Sequence, residues 1–410
     1  MRALLLHARS TPLRWLLLPL VVLDLAVILT RDPYWHGLWG DTGAAGQLPV
    51  VFLGIFAAGA AAWAAGLRRP ASTAELLSAM PRPAHRAELP RMAVVLGIVL
   101  LPYLIGQAVC FFVTARTWPA GLHLYLGYLL LGAAALLLAC GWGWVIGRLM
   151  PNRWGPLAGA FGWLLVVLAV ESELSVVSGP ARLEPDLPLL ALRAVTAVLL
   201  LAVCLWLPFG PPARRKAALP WAAVAGAVVL SVVVAGLPVI GERHGSPSAL
   251  CVTGRTTICL WPEEEKYLAL AEEVLERVDA LPEGVDMPAT VHSFGLVDQG
   301  REGWAGDFTV HGGSVWPLAD GVARAVTREI FEGCDWDAYF RADDPSLLAL
   351  ERWLEKRLAG GGDPLYTESG LSEQQSEAIR QGMAMTDRPE TEQVRWAQDT
   401  VSRVKETYCG

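Results

Sequence analysis

Seven separate runs of mostly apolar residues fill the first 240 positions of the chain, each close to the about 20 residues a helix needs to cross a hydrocarbon core of about 30 Å. They fall at Leu13–Thr30, Leu48–Leu67, Met92–Thr114, Leu122–Ile146, Gly155–Val170, Leu189–Leu207 and Leu219–Ile240. In lipid every backbone polar group must find its partner within the protein, so the expectation is an all-α polytopic bundle of seven transmembrane helices over residues 1–240. The bilayer itself is the first partner implied. At 53% hydrophobic residues and a mean hydropathy of +0.39, the 410-residue chain is too apolar for a soluble protein of its size, and the same figures exclude disorder.

Charge divides the chain in two. Residues 1–240 carry 17 basic and 9 acidic side chains, whereas residues 241–410 carry 16 and 31. The acidic half is long enough for a core of its own and mixes two periodicities, which predicts an α+β domain. Strand-like runs fall at Leu250–Val252, Thr257–Trp261, Ala289–Phe294 and Gly306–Val310, and helical periodicity at Glu263–Ala280, Leu318–Glu332, Ser346–Leu358, Ser372–Met383 and Glu392–Tyr408. Its negative balance argues against nucleic acid as a partner.

Arginine and lysine also orient the bundle. The amino terminus and the second, fourth and sixth connections hold 13 of them, while the alternate connections hold only Arg31, Arg116 and Arg182. The positive-inside rule then predicts a cytoplasmic amino terminus and, after an odd number of spans, an extracytoplasmic acidic domain. No small-residue cleavage site follows the first run, which is expected to remain as an anchor. Four cysteines, Cys251, Cys259, Cys334 and Cys409, lie in the half assigned to the oxidising side, where disulfides persist. Of three possible pairings, Cys251–Cys259 with Cys334–Cys409 is the first expectation, and four free thiols the alternative.

Charge within the spans is costly, about 2.5–3.5 kcal/mol per central residue on insertion scales. Asp24 lies well inside the first run and Arg193 near the start of the sixth. The structural readings are that they pair or that Arg193 snorkels to the interface, and the alternative is a transport-pathway role. The Gly141–Trp144 run reads as close helix packing with interfacial anchoring.

Between the second and third runs, Ser72 and Glu75 form a capping box ahead of an apolar face of Leu76, Leu77 and Met80, and Pro81 and Pro83 stop the helix. An arginine-rich stretch with Arg82, Arg86 and Arg91 follows, a pattern that also suits an amphipathic segment held to anionic headgroups. This loop, together with the later Val145–Pro151 segment ending a Gly-rich span, resembles the membrane subunits of type-2 ATP-binding-cassette exporters from high-GC bacteria over about residues 1–210. The resemblance implies a bacterial plasma-membrane, permease-like subunit whose loop residues Glu75, Leu76, Leu77, Arg82 and Arg86 dock on a separate ATPase. It also implies a homo- or heterodimer of membrane subunits. No Gly-x-x-x-x-Gly-Lys-[Ser/Thr] phosphate cradle occurs, so any ATPase is another polypeptide. That family's usual core has six spans, and a seventh that exports a long tail departs from it.

The acidic half shows no nucleophile elbow, and its histidines, His244, His292 and His311, lack metal-ligand spacing. One frame resembles a gluzincin peptidase: Arg328-Glu329-Ile330-Phe331-Glu332, then 18 residues, then Glu351. Carried over by position, Glu329 stands for the base, Glu351 for the third ligand, and Arg328 and Glu332 for the two histidines. A guanidinium cannot coordinate zinc, so neither a metal, a cofactor nor an enzymatic activity is expected. Accidental spacing in a Glu-rich domain is the alternative. The expected function is therefore an export permease subunit with a non-catalytic outer domain, or else a membrane-anchored sensor or scaffold whose outer domain binds a peptide or envelope component.

Overall fold

The computed structural model describes the chain apart from residues 1–6, 31, 32, 67–84, 171–177, 208–214, 244, 247, 283–286, 298–307, 309, 311, 312, 336, 337, 340, 341, 343, 363–371 and 410, and apart from the side chains of 33, 85–87 and 215–218. It divides into two compact units, Met1–Gly241 and Glu242–Gly410.

The first unit is a bundle of α1 (Leu17–Leu29), α2 (Trp39–Ala45), α3 (Leu48–Gly66), α4 (His85–Thr114), α5 (Leu122–Leu149), α6 (Gly155–Val170), α7 (Leu187–Cys204) and α8 (Arg215–Ala235), with a short strand β1 (Leu183–Pro185) before α7. Five stretches are long and apolar enough to cross a membrane: Pro12–Leu29, Trp39–Gly66, Glu88–Thr114, Leu122–Leu149 and Leu187–Cys204. This makes the unit a membrane-type helical bundle. The apolar parts of α6 and α8, Gly155–Val170 and Leu219–Ala235, are shorter, so among the described residues five of the seven expected runs meet the length criterion. Two details depart from the expected pattern. The first run opens as a 3-10 turn over Pro12–Leu16, because Pro12 and Pro19 restrict the early backbone. The third helix begins at His85 rather than Met92, carrying Glu88 and Arg91 into the bundle.

Small residues set the packing. Gly143 and Gly147 of α5 lie directly against the Ala58 and Ala62 backbone of α3, where an added Cβ would collide with a carbonyl. Without a hydrophobic drive between helices in lipid, such close backbone approach supplies the van der Waals contact that holds them. This accounts for the Gly141–Trp144 run, in which Trp144 is buried and Trp142 rests against Gly162 of α6.

The same contacts fix helix direction. Residues 58 and 62 of α3 meet 143 and 147 of α5, so these two run parallel. The Tyr103 hydroxyl of α4 donates to the Leu129 carbonyl at 2.9 Å, and the Tyr125 hydroxyl of α5 donates to the Gln107 carbonyl at 2.8 Å, so α4 runs against them. By similar pairs, Gly54 with Trp163 and Ala62 with Gly159, α6 is antiparallel to α3. Gly127 with Pro185 and Gly141 with Leu200 place α7 parallel to α5. Asp24 against Gly106, and Ile28 clustered with Cys110, set α1 parallel to α4. Successive long helices alternate throughout.

The second unit begins with a three-stranded sheet, β2 (Leu250–Thr253), β3 (Thr257–Leu260) and β4 (Thr290–His292), in that spatial order. β2 and β3 form an antiparallel hairpin, and β3 and β4 are parallel. Cys251 stands directly opposite Cys259 in the register, and the two are disulfide-bonded. The helix expected over Glu263–Ala280 is split into a 3-10 turn, Pro262–Tyr267, and α9 (Leu268–Asp279), since Pro262 and the acidic run Glu263–Glu265 favour an N-terminal turn. Among the described residues the helices α10 (Trp316–Ile330), α11 (Ser346–Ala359), α12 (Glu373–Met385) and α13 (Glu390–Tyr408) follow. Most of the strand expected at Gly306–Val310 lies outside the described residues; Phe308 bridges to Ser293.

α11 is the hub of this unit. Its Trp353 indole donates to Gln393 Oε1 of α13 at 3.0 Å, while the Gln393 amide donates to the carbonyls of Thr386 and Arg388 at 3.1 and 2.7 Å. Toward α10, Arg352 bridges Asp320 at 3.2 Å and also pairs with the fully buried Glu355. A second disulfide, Cys334–Cys409, ties the loop after α10 to the last residues of α13. Beside it the Asp335 N–H donates to the Tyr408 carbonyl at 2.8 Å.

Candidate functional site

Three places hold the groupings of buried ionisable or amide side chains that matter most among the described residues of the bundle. At the end where α3 and α5 finish and α4 begins, Glu88 accepts from Arg148 at 2.9 Å and from Arg91 at 3.2 Å. Arg91 also donates to the Ala64 carbonyl at the end of α3, and the Arg148 guanidinium lies 5.6 Å from the Trp144 ring centroid. Glu88 and Arg148 are both buried. One carboxylate is thus shared by two arginines where three helices meet.

Arg193 occupies the second place. It is fully buried and donates through Nη2 to the carbonyls of Ala235 and Leu237, each at 2.9 Å, at the end of α8. Pairing with Asp24 or snorkelling was expected, and the structure has neither. The last carbonyls of a helix lack intrahelical partners and carry the negative end of its dipole, which makes them a natural counter-charge for a buried guanidinium.

The third place surrounds Asp24, toward the other end of the bundle. α4 presents Tyr103, Gly106, Gln107 and Cys110 at spacings of three and four, which share one helix face. Asp24 of α1 rests on Gly106, Gln47 at the α2–α3 junction donates to the Tyr103 hydroxyl at 3.1 Å, and the Gln107 amide lies beside Tyr103. Asp24, Gln47, Tyr103 and Gln107 are all buried. Of these, sequence reasoning singled out only Asp24. A usable signal existed in the two polar residues Tyr103 and Gln107, four apart in an otherwise apolar run, but nothing local marks Gln47 as their neighbour.

Glu75, Leu76, Leu77 and Arg82 of the connecting loop lie outside the described residues, as do the Ser72–Glu75 capping box and the Arg86 side chain.

In the second unit the peptidase-like frame does not form a centre. Arg328, Glu329 and Glu332 are exposed, whereas Glu351, half-buried on α11, meets Thr327 across the helix interface, with Oγ1 and Oε1 2.9 Å apart. Among the described residues no group of three or more His, Cys, Asp or Glu is arranged to hold a metal. Burial pushes the Glu351 carboxyl above its ordinary range, against the opposing pull of the Thr327 hydrogen bond and Arg352. A carboxyl raised in the folded state binds its proton more readily than in the unfolded chain, so its contribution to stability falls as pH rises from the ordinary glutamate value through the raised one. Glu351→Gln, which keeps an acceptor for Thr327, is expected to gain stability relative to the parent as pH rises above the ordinary glutamate range. Thermal unfolding of both proteins from that range upward checks this, and a parent favoured at the alkaline end contradicts it.

The chain matches no family model, no curated protein and no solved structure.

Proposed function

We propose that this chain is a bacterial plasma-membrane, permease-like subunit of an ATP-binding-cassette export system, coupled to a separate ATPase and carrying a non-catalytic outer domain. The observation that carries the reading is the alternation of the long helices. It puts the end of α3 and the start of α4, between which the proposed docking segment runs in sequence, at the end of the bundle where Glu88, Arg91 and Arg148 brace three helix termini. A docking loop needs that kind of rigid base, because force applied to it must move helices rather than melt them. All seven helices cross the bilayer in this reading, with the shorter α6 and α8 at its thinner margins. The amino terminus is then cytoplasmic. The disulfides Cys251–Cys259 and Cys334–Cys409 then lie on the oxidising side, in keeping with where such bonds persist.

Deleting residues 72–86 is expected to abolish co-purification of a stoichiometric ATPase in mild detergent while leaving the bundle folded. Retention of the ATPase by the deletion overturns the coupling role. A folded parent chain that captures no ATPase favours the second reading, a membrane-anchored sensor or scaffold acting through its outer domain.

A further inference from the structure

Around Asp24 the hydrogen-bond inventory does not close. The Tyr103 hydroxyl donates to the Leu129 carbonyl and accepts from Gln47 Nε2, with the Gln107 amide beside it. Gln47 also donates to the Tyr128 carbonyl, leaving its Oε1 bare. Both carboxylate oxygens of Asp24 have no hydrogen-bond partner among the described residues, and the Gln107 amide, beside the Tyr103 hydroxyl, makes no bond to the carboxylate. These side chains are 1%, 2% and 0% exposed for Asp24, Gln107 and Gln47, so bulk water does not supply what the protein omits.

Nor, among the described residues, does a counter-charge face the carboxylate. The titratable side chains nearest its level are Tyr103 and Cys110 of α4 and Tyr125 of α5, none of them a base, and α3 offers none. Asp41 of α2 is held by the Gly179 N–H at 2.9 Å. Arg14, in the turn before α1, is exposed and donates to the Arg9 carbonyl. Arg193 is engaged with the end of α8, and Glu88 and Arg91 lie at the opposite end of α4, roughly 22 Å away at 1.5 Å per residue. An ionised carboxylate sealed in an apolar bundle without a partner is among the costliest arrangements a membrane protein can hold. Here the chain makes room for it, since any side chain at position 106 would overlap its oxygens.

We propose that Asp24 is an exchange site for one small monovalent cation, a proton or Na+, in a layer whose other buried polar side chains, Gln47, Tyr103 and Gln107, carry no positive charge. Binding is a simple association: with a proton the carboxylate becomes a neutral carboxylic acid, and with Na+ it forms an ion pair. In either case the neutralised site lets α1 seal against Gly106, and release of the cation favours its opening. Pro102, within α4 one residue before Tyr103, removes a backbone hydrogen bond at this level and weakens the helix where such movement is needed. The inference stands on the Asp24 layer alone and does not require an ATPase partner.

Dicyclohexylcarbodiimide, which reacts with protonated carboxyls in apolar surroundings, tests this on the full chain in lipid nanodiscs, with peptide mass spectrometry locating the adduct. The expected result is an adduct on Asp24. If the exchanged ion is the proton alone, labelling falls about tenfold per pH unit on the alkaline side and ignores Na+. If it is Na+, added NaCl suppresses labelling several-fold where choline chloride does not. Thermal unfolding of Asp24→Asn is the second measurement, and the variant is expected to lose the pH or Na+ dependence of the parent. Absence of any Asp24 adduct from about pH 5 to about pH 9, together with the same pH and Na+ dependence in parent and variant, overturns the proposal. Since neither readout involves an ATPase, its failure is distinguishable from failure of the export reading.

Discussion

Glu88→Gln is expected to destabilise the helical bundle by about 3–5 kcal/mol, the range found when one partner of a buried ion pair is removed. The side chain keeps its shape and loses its charge. Arg148, 1% exposed and 2.9 Å from Glu88, is then left with a buried positive charge that has lost its carboxylate. Arg91 is less affected, because it also donates to the Ala64 carbonyl. Burying the pair is itself expensive, so the loss measures the stranded charge more than the worth of the bridge. For that reason the double variant Glu88→Gln, Arg148→Leu is expected to recover much of the deficit. Unfolding in mixed detergent micelles, followed by helix content, measures both. A loss below about 1 kcal/mol in the single variant, the level of an exposed pair, would show that the two charges are solvated.

Replacing Cys334 and Cys409 together by serine is expected to cost the second unit about 4 kcal/mol, from the chain entropy released when a long loop is opened. Their sequence separation is 75, against 8 for Cys251 and Cys259, for which the same relation yields about 2.5 kcal/mol. Packing points the same way. The Cys251–Cys259 hairpin keeps its cross-strand ladder without the bond, whereas the end of α13 is held near Cys334 by the Asp335–Tyr408 backbone hydrogen bond, the Tyr408 hydroxyl donating to Asp344 at 3.2 Å, the buried Val404 and the edge-on Tyr339 and Tyr408 rings, 5.4 Å apart. Loss of the longer bridge is therefore expected to fray α13 first and to expose the Trp353–Gln393 bond. Denaturant unfolding followed by tryptophan fluorescence and by amide exchange of α13 checks the order. A larger loss on removing Cys251–Cys259 contradicts it.

Sequence by itself determined the membrane-type helical bundle, since a run of apolar residues long enough to span lipid has one economical way to satisfy its backbone. It also located the helices of the acidic unit near their observed places, because amphipathic periodicity is local. The disulfide pairs were legible for a related reason: two cysteines flanking a short turn can hardly avoid each other.

Side-chain partners were not legible, because they are set by which helices meet and at what height. Arg193 was expected to seek a carboxylate, yet the α8 carbonyls at Ala235 and Leu237 are nearer and serve as well. Glu88 and Arg91 looked like loop charges beyond the apolar run that starts at Met92. Once Arg148 from the end of α5 was there to pair with Glu88, the helix continued outward to His85. Helical periodicity put Glu351 on a helix, but which residue of α10 it meets was set by packing, which turns Thr327 rather than the exposed Arg328 toward it. Spacing along a chain specifies which residues share a helix face; only the docking of one helix on another decides which faces touch, and the charge of a buried group is settled there.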